Sequence, residues 1–416
     1  MSKLKELIDR LCPDGVPFKP LWEVTIWDKK FNGVDRHKQP KVKSYPYLLA
    51  KDMKALERED GDVTLLSTGE YVGHTTEELA GDYLCEGEIV TIPWGGTVKG
   101  MKYFKGKFVT ADNRIATSSD TSILNNKFLY YIFLQQSDIL QSFYRGAGIQ
   151  HPNMNDVLHM LIPVPPIEVQ EEIVKILDRF ADYAAELQAE LQAELQARKE
   201  QYDYYRNLLL TFSPSACGCG TDGEQELGLT TPPTSSYKIT WKPMGDIFVM
   251  KAGKAIPSSE IKDYNPGNYC ACFGANGLRG YVQKANRQTN NIIIGRQGAL
   301  CGNISYAKGP YYATDHAVVI ENSPVFDNHF LFHLLVNANL NQYKTSGAQP
   351  GLSVEILKQI VIPVPPLDLQ LRIASILDRF EALVNDLTQG LPAEIAACRE
   401  RYEYFRNKLL TFKKIA

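Results

Sequence analysis

The sequence predicts an α+β chain in which two mixed α/β globular segments alternate with two long coiled-coil helices. Three observations predict it: a central stretch that recurs near the end, heptad-like apolar spacing inside both copies, and short apolar runs between glycine-rich turns elsewhere. With 416 residues the chain is long enough for more than one core.

The repeat comes first because the rest depends on it. Residues 162–212, IPVPPIEVQEEIVKILDRFADYAAELQAELQAELQARKEQYDYYRNLLLTF, return as residues 362–412, IPVPPLDLQLRIASILDRFEALVNDLTQGLPAEIAACRERYEYFRNKLLTF. The copies align without a gap and share about half their positions, a degree of order that chance does not produce. A weaker echo lies upstream of each: Phe18-Lys-Pro-Leu matches Trp241-Lys-Pro-Met, and Gly146-Ala-Gly-Ile-Gln150 loosely matches Ser346-Gly-Ala-Gln349. Each half is therefore a globular segment followed by a helical one. The Ser/Gly/Thr/Pro-rich stretch from Ser213 to Ser236 reads as the linker between halves.

Helix is predicted from periodicity. Ile173, Leu177, Phe180, Ala184, Leu187 and Leu191 recur at alternating steps of four and three, and Tyr202, Tyr205 and Leu209 resume the series. The second copy gives Ile373, Leu377, Phe380, Val384, Leu387 and Leu391, then Cys398, Tyr402, Phe405 and Leu409. Both read as coiled-coil seams. The Pro-Pro pairs just upstream suit a helix start. About 45 helical residues would extend roughly 65–70 Å. Gly390 and Pro392 predict a kink or break in the second copy. Residues 185–197, AELQAELQAELQA, form a strict tetrapeptide repeat. Each unit adds about 6 Å and a full turn plus roughly 40°, so units lengthen the helix while nearly keeping its face. Good helix formers explain the composition of this run but not its regularity, which points to a length-setting role.

The net charge of −3 is unevenly spread. From Tyr237 to His316 ten Lys/Arg face four Asp/Glu, and from Lys99 to Arg114 five face one, whereas the acidity sits largely on the first helical copy. Local basic stretches permit nucleic-acid binding despite the overall sign. In the second half, Asn291 to Tyr306 reads as a β-hairpin whose glycine-bracketed tip carries Arg296 and Gln297, side chains able to pair bidentately with guanine and adenine edges. The corresponding stretch of the first half, Ile92 to Lys107, interleaves Lys99, Lys102, Lys105 and Lys107 with glycines and aromatics, a pattern suited to phosphates. Polar loops before each helix add Gln150, His151 and Asn153, and Lys344, Ser346 and Gln349; Arg145, Arg287 and Lys308 complete the candidate DNA contacts. The Asp315-His316 pair within Tyr312-Ala-Thr-Asp-His316 reads as a buried structural hydrogen bond.

No catalytic constellation emerges. GxxxxGK, HExxH, a dinucleotide-type glycine turn and an amino-methyltransferase Pro-Pro-Tyr/Phe motif are all absent, and seven histidines make multi-histidine metal sites improbable. Eight cysteines without a CxxC pair read as free thiols in a reducing compartment. No run of eighteen apolar residues and no secretory leader is visible, so a cytoplasmic protein without membrane partners is expected.

Two globular segments, each followed by an IP-x-PP…Q…I…ILD-x-F helix ending in Tyr/Phe-Arg-Asn…Leu-Leu-Thr-Phe, resemble the specificity (S) subunits of type I restriction-modification systems. The resemblance covers essentially the whole chain, including the AELQ run and the opening Leu11-Cys-Pro-Asp-Gly-Val16. It implies two α/β target recognition domains (1–161 and 237–361) alternating with two long antiparallel coiled-coil helices (162–212 and 362–416), in a pseudo-twofold arrangement around linker 213–236. It further implies that each domain reads half of a bipartite, asymmetric site on double-stranded DNA. The helices would act as a ruler and dock two methyltransferase (M) subunits, joined by two restriction (R) subunits. The S chain would be non-catalytic and hold no cofactor; S-adenosylmethionine, ATP and Mg would be bound by the partner subunits. Candidate partner contacts are the repeated helix-end residues Tyr202, Tyr204, Arg206 and Asn207 with Tyr402, Tyr404, Arg406 and Asn407. The competing readings are a coiled-coil protein–protein scaffold without a DNA role and a cryptic enzyme.

Overall fold

The computed structural model describes residues 2–212, 237, 239–298, 300–345, 350–385 and 390–415; the expected linker 213–236, Leu387, Ser346 and Gln349 lie outside the described residues. Contacts divide the chain into two units, Met1–Ala189 with Ala396–Ala416, and Glu190–Ile395.

In the first unit, β1 (Thr25–Trp27), β2 (Val63–Leu66), β3 (Val72–Thr75), β4 (Cys85–Pro93), β5 (Lys102–Thr110) and β6 (Asn113–Ser118) form one sheet in the order β1-β6-β4-β5-β2-β3. All neighbours are antiparallel except β2 with β5. Helix α1 (Asn126–Gln135) and the first part of α2 (Ile167–Leu210) complete it. The second unit holds β7 (Met250–Ala252), β8 (Cys270–Gly274), β9 (Gly277–Val282), β10 (Asn291–Gly295), β11 (Ile304–Ala307), β12 (Tyr311–Ala313) and β13 (Ala317–Ile320). These make two sheets, β7-β13-β10-β11 and β9-β8-β12. Helices α3 (Asn328–Asn337) and α4 (Leu367–Asn385) follow, and α5 (Leu391–Leu409) comes after them.

The central strands are covered on both faces, β4 from Ile89 to Pro93 and β10 throughout. In β4, Val90 and Ile92 enter the main core while Ile89, on the other face, packs with Leu66, Phe108 and Ile115. In β10, Ile292 and Ile294 enter the main core of the second unit while Ile293 packs with Tyr311 and Val319. Alternate residues of a strand point to opposite faces, so three successive isoleucines serve two cores.

The upstream echo and the IPVPP motif prove to be one device. Phe18–Pro20 pairs antiparallel with Leu161–Pro163, and Thr240–Pro243 pairs antiparallel with Val361–Val364. Each ribbon closes its globular segment, and the long helix starts only after the Pro-Pro pair. The glutamine four residues beyond that pair then fastens helix to globular segment. Gln170 is fully buried; its amide donates to the carbonyls of Ile123 and Pro165, each at 2.7 Å, and its Oε1 accepts the Asn125 N–H at 2.9 Å. Gln370 repeats this on Val325 (2.9 Å), Pro365 (2.8 Å) and the Asp327 N–H (2.8 Å). Asn125 and Asp327 in turn cap α1 and α3.

Helix α2 runs unbroken for 44 residues, close to the expected length. Its second copy is described as two helices, α4 to Asn385 and α5 from Leu391, with 386–389 outside the described residues; the expected break is seen at Gly390, a bend, and Pro392 falls in the first turn of α5. In the first unit Phe180 and Phe405 lie 6.0 Å apart, ring to ring, and the Cys398 thiol meets the Ala184 carbonyl at 3.9 Å. One number rises as the other falls, so these segments are antiparallel. In the second unit Tyr202 and Tyr205 lie 6.5 and 5.6 Å from Phe380. The seam is not uniform, however. Ile173 and Leu177 belong to the core of the first unit with α1, and Ile373 and Leu377 to that of the second with α3. A heptad pattern records only that one face is apolar; here a globular segment covers the first turns. The opening motif also has a fixed place: Val16 exchanges backbone hydrogen bonds with Lys413 and Ile415. Gly15 has φ +115°, and a Cβ there would sit 2.5 Å from the Lys413 carbonyl oxygen.

Candidate nucleic-acid interface

Both units carry one local construction at the end of their central strand. In the first, β4 runs into the turn Trp94-Gly95-Gly96, whose Gly96 N–H donates to the Gln150 carbonyl at 3.0 Å. That loop is closed at its base by the pairing of Arg145 with His151. In the second, β10 runs into Arg296-Gln297-Gly298, whose Gly298 N–H donates to the Pro350 carbonyl at 3.0 Å. Its loop is closed by Thr345 donating to the Gly351 carbonyl. Gly96 and Gly298 both have positive φ, which the clasp requires.

In the first unit the clasp presents His151, Gln150 and Lys99, all exposed. The His151 ring lies 5.0 Å from that of Trp94, with Nδ1 2.7 Å from the Trp94 carbonyl. Trp94 is itself held from beneath by Arg114, whose guanidinium stands 4.6 Å from the indole centroid. Arg114 is fully buried and bonded to Asp28 (3.1 Å) and Asp112. Burial pushes both carboxyls up, and Arg114 draws Asp28 back toward the ionised form. Arg145 is exposed, bonded to the Ser142 carbonyl and 3.4 Å from Asp156; Asn153 caps the short helix Met154–His159.

The four lysines of this half do not share a role. Lys102 is a correction: it is buried, and its ammonium donates to the carbonyls of Ser67, Gly69 and Gly100. Burial lowers it to about 8. A period-two strand turned this lysine inward, a distinction that lysine counting does not make. Lys107 is ion-paired with Glu77 and Lys105 lies 3.5 Å from Glu88, both on the sheet surface. Lys99, on the short turn Val98–Gly100 beside the clasp, has no ion pair among the described residues.

In the second unit Gln297 is exposed and lines an open cleft of about 500 Å³ with Asn276, Arg279 and His316. Arg296 is half-buried and does not line that cleft; it lies near the Glu355 carboxyl, which hydrogen bonds from its own backbone N–H and from Ser353 hold below its usual range, with Lys358 and Arg296 adding to the same direction. The Asp315-His316 reading is corrected as well. The two side chains are 49% and 42% exposed and 3.9 Å apart, so there is no buried hydrogen bond; His316 faces the cleft instead. Lys344, bonded to Asn341 at 2.9 Å, flanks the clasp loop. Arg287 and Lys308 do not join this group. Arg287 bridges to Tyr311 and Lys308 follows β11, both near the Asn291 end of β10, opposite the turn. Asn276 and Arg279 were missed, although Ala-Asn-Gly between two short apolar runs is a hairpin signal.

The helix-end residues also separate. Tyr202 is a correction: it is buried, with its hydroxyl 3.4 Å from His333 Nδ1. Tyr402 is half-buried, and Arg206 and Arg406 lie over the rings of Tyr202 and Tyr402. Tyr204 and Asn207, and likewise Tyr404 and Asn407, are exposed and three residues apart, hence on one helix face. The six described cysteines are all free, and among the described residues no helix is long and apolar enough to cross a membrane.

Comparison with known proteins gives a consistent picture. The family model for the type I restriction modification DNA specificity domain matches twice, over residues 46–197 and 238–397. The chain is 38% identical over 271 residues to the EcoprrI type I restriction enzyme specificity subunit of Escherichia coli, an alignment covering 63% of each. It is 30% identical over 377 residues to a putative type I restriction enzyme specificity subunit of Haemophilus influenzae, covering 87% of this chain and 91% of that one. Among solved structures, the type I S subunit from M. genitalium superposes with a TM-score of 0.50 at 17% identity, over 95% of this chain and 96% of that one. A structure from a study of complex assembly in the type I R-M system gives 0.54 at 16% identity, over 96% and 98%. At such identity these likenesses concern the fold.

Proposed function

Because this chain belongs to the type I restriction modification DNA specificity family, we propose that it is the non-catalytic, DNA-reading subunit of a type I complex, with each unit reading one half of a bipartite site. The observation that carries this reading is the clasp. One backbone construction recurs at the same place in both units, yet it offers Lys99, Gln150 and His151 in one, and Gln297 with Asn276, Arg279 and His316 in the other. Amide, guanidinium and imidazole edges match base edges and phosphates, and unlike sets of them imply unlike half-sites.

The exposed pairs Tyr204/Asn207 and Tyr404/Asn407 are the proposed docking faces for two M subunits, which would bring S-adenosylmethionine; R subunits would add the ATP- and Mg-dependent activity. The unbroken passage of α2 through residues 185–197 supports a ruler role for the AELQ run. The deciding experiment is methylome sequencing of a host carrying this subunit with its M partner. Gln297→Ala should alter one half-site and leave the other intact. Deleting one AELQ unit, about 6 Å of helix, should shorten the gap and change neither half. A gap that stays constant removes the ruler, and an S–M complex that shifts no genomic fragment removes the DNA role.

A further inference from the structure

The repeat places Asp178 and Asp378 at equivalent points of the two long helices, facing α1 and α3, and their surroundings are unlike. Asp178 accepts a hydrogen bond from the Tyr131 hydroxyl at 2.6 Å and pairs with the Lys127 ammonium at 2.7 Å. One anion meets one permanent cation. At Asp378 the corresponding residues of α3 are histidines: His333 Nε2 lies 2.8 Å from one carboxylate oxygen and His329 Nδ1 2.9 Å from the other. A second carboxylate is added as well, for Glu381 stands where the first copy has Ala181. Burial and the neighbouring Asp378 both push the Glu381 carboxyl up, against the pull of the histidines and Arg206. Two acids and two imidazoles therefore share the place of one acid and one ammonium.

We propose that the second unit binds one divalent transition-metal ion of the zinc class here, held by His333, Asp378 and Glu381 with His329 as the fourth ligand. His329 and His333 are one helical turn apart on one face of α3, and Asp378 and Glu381 one turn apart on the facing side of α4; such spacings make two bidentate pairs. The ligand atoms of His333, Asp378 and Glu381 all lie within 4.8 Å of one another. Zinc-to-ligand bonds of about 2.0–2.2 Å fit that spread after small side-chain movements. An imidazole and carboxylate set suits zinc or its neighbours rather than magnesium. An outer partner is already in place: with Nε2 on the metal, His333 Nδ1–H donates to the Tyr202 hydroxyl, 3.4 Å away. His333 is fully buried, so the ion would pin α3 of the globular segment to α4.

The test uses the full chain, stripped with chelator and then titrated with zinc. Metal analysis after gel filtration should find one ion per chain, and melting should move to higher temperature only when zinc is added. Glu381→Ala should lose the ion. The triple variant H329K/H333Y/E381A copies the set of the first unit, so it should fold, bind no zinc and melt at the same temperature with or without it. Retention of the ion by the triple variant would place it elsewhere. Failure of the wild-type chain to bind zinc or to gain melting temperature would overturn the proposal.

Discussion

The two units share a frame and differ where the frame is open to solvent or carries charge. Gln170 and Gln370 make the same three hydrogen bonds, and the clasp of turn to loop recurs with the same donor and acceptor positions. At the tips only the clasp glycine, Gly96 or Gly298, is kept: Trp94-Gly95 in one unit stands where Arg296-Gln297 stands in the other. The lesson is that backbone hydrogen bonds fix where a reading tip stands, while the side chains projecting from it are free to differ. The same split appears in the cores. β4 belongs to one sheet of six strands, whereas β10 lies in a sheet of four beside a second sheet of three, although both strands are covered on both faces.

The strongest way to break this comparison is to remove one glutamine at a time. Gln170→Ala and Gln370→Ala each remove three hydrogen bonds to backbone groups that are buried or part-buried, and each should cost about 3 kcal/mol in urea unfolding. A silent substitution in either copy would mean that the two clamps are not equivalent. Next is Gln297→Ala, expected to weaken binding of the cognate site by about 1–3 kcal/mol in a titration, with the loss confined to variants of one half-site. An equal loss on all sequences would assign Gln297 to the phosphates.

The third concerns pH. Because the folded-state value of Glu381 is raised, its favourable share of stability is present below the ordinary carboxylate range and lost as pH climbs through the raised value. In chelator, wild type should therefore lose a few °C of melting temperature over that rise. Glu381→Ala, which installs the residue found at position 181, should flatten the profile. The smallest effect separates two lysines that composition treats alike. Lys99→Ala should reduce the slope of log affinity against log salt by about 0.9, and Lys102→Met should leave that slope unchanged while lowering stability.

Much of this was legible in the chain of letters. The duplication, the helix break at Gly390–Pro392, the hairpin from Asn291 to Tyr306 and the basic stretches are local or internally repeated, and each leaves a pattern in one dimension. What failed to show was direction. Lys102 and Lys105 look alike in a list, yet one faces three carbonyls and the other the surface. Tyr202 and Tyr204 differ by two residues, about 200° around a helix, so one is buried and the other exposed. A count of seven histidines also does not show that His329 and His333 meet Asp378 and Glu381, which lie some fifty residues away along the chain.

By itself, then, the sequence determined the number of halves, the type of each element and the points at which helices start and break, because these follow from backbone preferences and from periodicity along the chain. Tertiary structure decided which face each element presents and to whom. The apolar seam of α2 was visible from its spacing, but that its first turns serve a globular core and its later ones a facing helix depends on what packs there. Burial and charge compensation are properties of neighbours in space, and neighbours in space are what a linear reading lacks.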